Sequence, residues 1–194
     1  MKKLVALALI PVLAGCLSSG VPIASYWNME YLPGQSRSAQ DGKSEVAATK
    51  CDIARVSQVI VRTPYNENGI VVLRGDGSVA FDSYNEFAAQ PSTLMKGVVF
   101  EAMGASGLFK TVVNPSSAAM SSASVEVMVT RLALDCRKEG VRTAVAEVLI
   151  RLLAGAEVLV AKGSGSADAA DGNYGAAFSR AASAALDSAF DQLR

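Results

Sequence analysis

Histidine is absent from the 194-residue chain, and cysteine occurs only three times. The missing histidine excludes Ser-His-Asp and Cys-His catalysis and histidine-ligated zinc or iron, and three thiols are too few for a four-thiolate metal site. Charge of neither sign is in excess, since 18 Lys and Arg balance 18 Asp and Glu, so no phosphate-binding surface for nucleic acid is expected. With 51% hydrophobic residues, the chain is too apolar to be disordered. These limits favour an exported binding or structural module over a catalyst.

The first fifteen residues have the composition of a signal peptide. Lys2 and Lys3 precede an apolar run of eleven residues, 4–14, which is interrupted only by Pro11. As a helix this run would be about 16 Å long, roughly half of a hydrocarbon layer of about 30 Å. It is therefore too short for a transmembrane anchor and predicts a cleaved signal at 1–15.

The end of this segment, Leu13-Ala14-Gly15-Cys16, resembles a bacterial lipobox. The small residues before Cys16 fit a narrow protease cleft, and the Cys16 thiol is the nucleophile that takes the diacylglyceryl group. Several acyl chains, at about 0.8 kcal/mol per buried methylene, would hold the protein on a membrane almost permanently. Cleavage removes two lysines and leaves 179 residues with a net charge of −2. An ordinary signal peptide followed by a chance cysteine stays the alternative.

The two remaining cysteines, Cys51 and Cys136, are expected in an oxidising compartment. An even pair there predicts a structural disulfide that closes a loop of 84 residues. Closing a loop of that length stabilises a protein by about 4–5 kcal/mol in the loop-entropy model. Two buried free thiols stay the alternative.

Residue patterns predict strands and helices in alternation along the mature chain. Strands are expected at 23–32, 52–62 (with a bulge), 69–83 (a hairpin around Gly75-Asp76-Gly77), 109–113, 125–136, 141–153 and 157–162. Helices are expected from Ser92, after Pro91, and over 174–193, with Asn173 as the N-cap. Loops are expected at 33–49, 116–124 and 163–172, the last a flexible turn region. After a lipidated cysteine and tether at 16–23, residues 24–194 therefore predict one α+β domain, with an antiparallel or mixed β-sheet and two helices packed on one face.

The sequence predicts no catalytic, cofactor-binding or metal-binding residues. Glu101, Glu126 and Glu147 could pair for acid–base chemistry, but each has a solvent-facing position in a predicted element, which favours a charged surface. Aromatic residues of the first strand, among them Tyr26 and Trp27, are accounted for by β-propensity and packing. An exposed aromatic strand edge that receives a partner strand stays open as an alternative.

Several local strings together resemble a known family. These are Glu30-Tyr31-Leu32 soon after the lipobox, Ile60-Val61-Arg62 followed by Tyr65, the run from Ile70 to Arg74, Phe87-Ala88, and the alanine-rich closing helix with Tyr174 and Ala176-Ala177-Phe178. The chain resembles the auxiliary lipoproteins of ABC-type transport systems, the group that includes paraquat-inducible protein C. Many members have tryptophan where this chain has Phe87.

The resemblance implies a non-enzymatic lipoprotein without a cofactor, anchored to the periplasmic face of the outer membrane. Leu17, rather than an aspartate, follows Cys16, and the family pattern associates this with outer-membrane rather than inner-membrane retention. The implied partner is an MCE-domain periplasmic protein of an ABC transport system that moves lipids between the two membranes. Some members form rings, so the resemblance also allows a homo-oligomer. The alternative is a structural or assembly lipoprotein that binds another outer-membrane protein or a cell-wall component.

Overall fold

A computed structural model of the protein describes residues 23–34 and 51–194. The elements in chain order are β1 Ser25–Trp27, β2 Cys51–Val61, β3 Gly69–Arg74, β4 Val79–Phe87, α1 Pro91–Ala105, β5 Phe109–Val113, β6 Ala123–Cys136, β7 Thr143–Ala154, β8 Glu157–Asp168 and α2 Tyr174–Asp191. The predicted signal peptide at 1–15, the lipidation site Cys16, almost all of the tether at 16–23 and most of the loop at 33–49 lie outside the described residues.

The long strand β6 organises the sheet. Along one side it pairs antiparallel with β7 over residues 123–135, and β7 pairs antiparallel with β8. Its other side is shared, because β2 pairs with residues 123–129 and β3 pairs with residues 134–136, both in parallel. β5 extends the sheet beyond β2, while β4 and β1 extend it beyond β3. The result is an eight-stranded mixed sheet with two helices, so the predicted α+β class is confirmed.

Local sequence signals explain most of these elements. The predicted bulge in β2 lies between Val56 and Gln58. The turn between β3 and β4 contains Gly77, whose φ of 82° is accessible to glycine, and whose N–H donates to the Arg74 carbonyl. α1 starts with Pro91, and the Asn173 side chain caps α2 by accepting from the Ala176 N–H.

β7 and the first half of β6 bury every second side chain on the helix-covered face, and the intervening side chains form the open face of the sheet. This face includes Met128 on β6, Leu149 on β7 and Val160 on β8. On the helix-covered face the core is continuous, and the rings of Phe87 and Phe178 meet edge to face with centroids 5.1 Å apart.

The glycine-rich stretch after residue 162 is a strand and not the predicted flexible turn. Residues 163–168 complete β8, and only the residues that follow them form the turn before α2. A Cβ on Gly163 would lie 1.8 Å from the Ala185 carbonyl oxygen, and one on Gly165 would lie 2.1 Å from the Ala181 carbonyl oxygen. The glycines are therefore present because the α2 backbone packs directly on the strand. In the sequence alone, such a glycine-rich strand looks the same as a flexible turn.

The first predicted strand, 23–32, is also shorter than expected. β1 ends at Trp27, and the chain then runs along α2 without a strand partner. The Glu30 N–H donates to Ser179 Oγ at 3.0 Å, and the Leu32 N–H donates to Ser183 Oγ at 2.8 Å. Two helix hydroxyls thus satisfy backbone donors that a neighbouring strand would otherwise satisfy.

The predicted disulfide is contradicted, since in the described residues Cys51 and Cys136 are both free and half-buried. β2 and β6 run parallel, with Ala54 beside Ala123. Cys51 lies three residues before that level and Cys136 thirteen residues beyond it, a separation of about 50 Å along the strands at about 3.3 Å per residue. A disulfide needs Cα atoms within about 7 Å, so parallel pairing at opposite strand ends excludes the bridge.

Candidate docking site

The glutamates considered for acid–base chemistry do not come together. Glu126 and Glu147 lie on the open face, where Glu126 pairs with Arg151 at 3.9 Å and Glu147 pairs with Arg131 at 3.0 Å. Glu101 is exposed on α1, the helix-covered side of the sheet. The arrangement is the charged surface that the sequence pattern favoured.

Within residues 23–34 and 51–194, no three His, Cys, Asp or Glu side chains are grouped so as to hold a metal ion. Neither of the two helices in these residues is long and apolar enough to cross a membrane.

The second half of β2 has an open edge. β5 pairs with β2 only from Cys51 to Arg55, and the chain then turns away at Asn114-Pro115. From Val56 to Val61, β2 pairs with β6 on one side, while no strand in the described residues pairs with it on the other. An unpaired strand edge of this kind can hydrogen-bond an added strand.

A groove of about 560 Å³ lies along this edge. We call it the β2 groove, and it is lined by Val56, Ser57, Gln58, Val59, Lys96, Phe100, Asn114, Pro115 and Ser116. Val56 and Val59 are buried in the core, and the Phe100 ring on α1 is half-buried. Lys96, one turn earlier on α1, is exposed. The groove therefore combines an apolar lining, a backbone edge and one cation.

Arg55 fixes one wall of the β2 groove. Its Nη1 donates to the carbonyl oxygens of Pro115 and Ser117, each at 2.9 Å, and its Nη2 donates to the carbonyl of Ala119. The planar guanidinium suits this role, because it directs several donors in fixed directions. The loop after β5 is thus held in place before any ligand arrives, which lowers the entropy lost on binding.

A second groove of about 560 Å³ lies near the other edge of the sheet, with Lys162 and Gln192 in its lining. There one acceptor of the β8 edge is already occupied, because Gln192 Nε2 donates to the Lys162 carbonyl oxygen at 2.6 Å. α2 packs against both β8 and β7. The β2 groove is therefore the better candidate for an added strand.

The β2 groove was not predicted from the sequence, although the sequence contains a signal for it. The run that forms β2 continues to Val61, whereas its neighbour β5 is broken by Asn114-Pro115 only five residues after it begins. Proline cannot donate to a strand ladder and so ends the pairing. What the sequence lacked was the knowledge that β2 and β5 are neighbours.

No family model matches the sequence, and no curated protein matches it either. The fold is similar to those of two solved proteins. One is XCC0632 from Xanthomonas campestris, described as a DUF330 protein, with a TM-score of 0.57 and 15% identity over 84% of this chain and 89% of that chain. The other is an uncharacterized protein with a TM-score of 0.54 and 14% identity over 75% of this chain and 80% of that chain. At this level of identity the likeness shows the fold alone.

Proposed function

We propose that the protein is a non-enzymatic, membrane-anchored lipoprotein that serves as an auxiliary component of an ABC transport system. In this role Cys16 carries the lipid at the periplasmic face of the outer membrane, and the folded domain binds an MCE-domain protein of a lipid-transport system. The lipobox and the family resemblance support the anchor and the partner. The fold of the described residues supports a binding role, because it has a groove of about 560 Å³ beside an open strand edge.

The open half of β2 is the observation that carries this proposal. An extended segment of the partner would continue the position of β5 and hydrogen-bond the edge of residues 56–61. Its alternate side chains would contact Phe100 and the apolar part of the lining, and a carboxylate would pair with Lys96. Recognition of this kind needs no catalytic group.

Anchoring would strengthen such docking without any additional contact. A tethered binding module raises the apparent affinity for a neighbouring partner by about 10²–10⁴ when linker length and geometry allow engagement. A modest groove on a permanently anchored domain can therefore hold a transport component in place.

Photo-crosslinking in cells tests the proposal. A photoreactive amino acid replaces Gln58 or Lys96 in the β2 groove, and Ser164 on β8 serves as the control because it is exposed on a distant strand. We expect adducts with an MCE-domain protein from the two groove positions and not from Ser164. Adducts with only a barrel protein or cell-wall material would contradict the transport role and favour the assembly alternative.

The anchor is tested separately with Cys16→Ser. This variant should fold but leave the washed membrane fraction, because it lacks the acylated thiol. Retention of the variant in that fraction would contradict lipidation, whatever the crosslinks show.

A further inference from the structure

The edge of the sheet at β1 exposes four large apolar side chains. The exposed fractions are 91% for Ile23, 65% for Tyr26, 54% for Tyr84 and 48% for Phe81. We call these four residues the aromatic edge. In a single folded domain, large apolar side chains that are exposed together mark a contact surface more often than scattered ones do.

The pairing of three strands places two of these rings on one side. Tyr26 pairs with Glu86 of β4, and Glu86 pairs with Gly69 of β3. The Phe81 ring lies over Gly69, because a Cβ there would be 3.1 Å from Phe81 Cδ1. Tyr26 lies on one side of Glu86, on β1, and the Phe81 ring lies on its other side, over Gly69 of β3. The strands β1 and β3 are about 10 Å apart.

A hydrogen-bond network fixes the backbone from which Tyr84 projects. Asp82 Oδ1 accepts the N–H groups of Tyr84 and Asn85 and the Asn85 side-chain amide, each at 2.9 Å. Asn85 Oδ1 in turn accepts from Trp27 Nε1 at 3.0 Å. The indole and the short polar side chains are thus used to hold this part of β4, while the Tyr84 ring is left exposed.

The length of chain between Cys16 and Ile23 indicates which surface covers the aromatic edge. Ile23 lies seven residues after Cys16, and seven residues span at most about 25 Å. A lipid on Cys16 therefore keeps Ile23, the first residue of the aromatic edge, within that distance of the bilayer. Tyrosine rings prefer the headgroup layer, since the ring is apolar and the hydroxyl remains hydrated.

We propose that the aromatic edge lies in the headgroup layer of the anchoring membrane, so that the domain has one fixed orientation on the bilayer. This inference rests on the lipid anchor of the proposed function. Glu86 lies between Tyr26 and Phe81 and would be repelled by an anionic surface. The headgroup chemistry that fits is therefore zwitterionic with an exposed ammonium, as in phosphatidylethanolamine. A fixed orientation would present the β2 groove to partners in a constant direction.

The single tryptophan of the chain, Trp27, makes the inference testable. It follows Tyr26 on β1, and its indole packs on Tyr174 at the opposite face of the same sheet edge, so it reports the depth of that edge without belonging to the aromatic edge itself. The lipidated full-length protein is reconstituted in phosphatidylethanolamine–phosphatidylcholine vesicles that contain lipids brominated either near the headgroup or near the bilayer centre. We expect Trp27 fluorescence to be quenched mainly by the shallow bromines. In the double variant Tyr26→Ser/Tyr84→Ser most of this quenching should be lost, although the protein still floats with the vesicles.

The matched control is Val158→Ser/Val160→Ser on β8, whose side chains are 58% and 56% exposed. This control should leave the quenching unchanged. A second variant, Glu86→Gln, should increase quenching in vesicles enriched in phosphatidylglycerol, and this readout does not depend on the tyrosines.

The possible outcomes distinguish a wrong orientation of the domain from the absence of the lipid anchor. If wild-type protein floats but Trp27 is not quenched, or if the aromatic and control variants behave alike, the orientation is wrong while the anchor stands, and a protein partner covers the edge instead. If wild-type protein does not float, both the anchor and the orientation are overturned.

Discussion

The backbone N–H of Leu32 donates to Ser183 Oγ at 2.8 Å, across 151 positions of sequence. Ser183 is fully buried on α2, and its hydroxyl holds the chain segment that leads from β1. The amino-terminal part of the domain, which includes Ile23 and Tyr26 of the aromatic edge, is therefore attached to the closing helix by polar contacts as well as by packing.

Ser183→Ala should destabilise the fold by about 1–3 kcal/mol, because it leaves the Leu32 N–H without its acceptor. Chemical denaturation measures the change in the free energy of unfolding. The control is Ser188→Ala on the same helix, whose hydroxyl has no hydrogen-bond partner among the described residues. Equal stability of the two variants would show that the Leu32 contact contributes nothing.

Gly163→Ala should destabilise the protein by about 3 kcal/mol or more, because a methyl group cannot fit between β8 and the Ala185 carbonyl. The control substitution is Gly97→Ala in α1, where a Cβ would meet nothing within 4 Å. This change should instead stabilise the protein by about 0.5–1 kcal/mol, since alanine favours a helix. Similar melting temperatures for the two variants would contradict the tight packing of α2 on β8.

Local patterns were sufficient to predict most of the fold. Alternating apolar residues, the Asp76-Gly77 turn and the spacing of three and four in the helices are properties of neighbouring residues. They correctly placed the bulged strand β2, the β3–β4 hairpin, both helices and the Asn173 cap.

The errors concern contacts between segments that are distant in sequence. The sequence assigns Gly163 to a flexible turn region, because the backbone that packs on it belongs to α2, more than twenty residues later. The disulfide followed from an even cysteine count, which says nothing about the parallel register of β2 and β6. The open edge of β2 likewise depends on which strand lies beside it. The lipidation site Cys16 lies outside the described residues and stays a prediction.

Cys51 and Cys136 should both react with an alkylating agent after denaturation without reductant, because they lie at opposite strand ends and form no disulfide. Mass spectrometry of the alkylated chain checks this. Burial, which removes solvent from the thiolate, raises the pKa of Cys136, with Asp135 and Asp82 adding to the effect against Arg142.

The raised pKa also sets the direction of a pH dependence. In the Cys51→Ser variant, alkylation of folded Cys136 should reach half its maximal rate at a higher pH than in the denatured chain. Because the folded state keeps its proton to higher pH, any stability linked to this group is fully present below the unfolded pKa and is lost as the pH rises through the folded pKa. A lower midpoint in the folded protein would contradict the burial of this thiol.

Arg55→Gln tests whether the β2 groove is preformed. The variant loses the guanidinium that donates to the carbonyls of Pro115, Ser117 and Ala119, so the loop 115–119 should become mobile. Hydrogen exchange followed by mass spectrometry should show faster exchange in that loop and little change in β6 or β7, since local opening needs only the lost contacts. Crosslinking from Gln58 to the partner should fall as well, because the entropy of ordering this wall would then oppose binding. The control is Arg151→Gln, which removes a salt bridge on the open face and leaves the loop intact. If both variants exchange and crosslink alike, Arg55 does not organise the docking site, and the partner contacts another part of the domain.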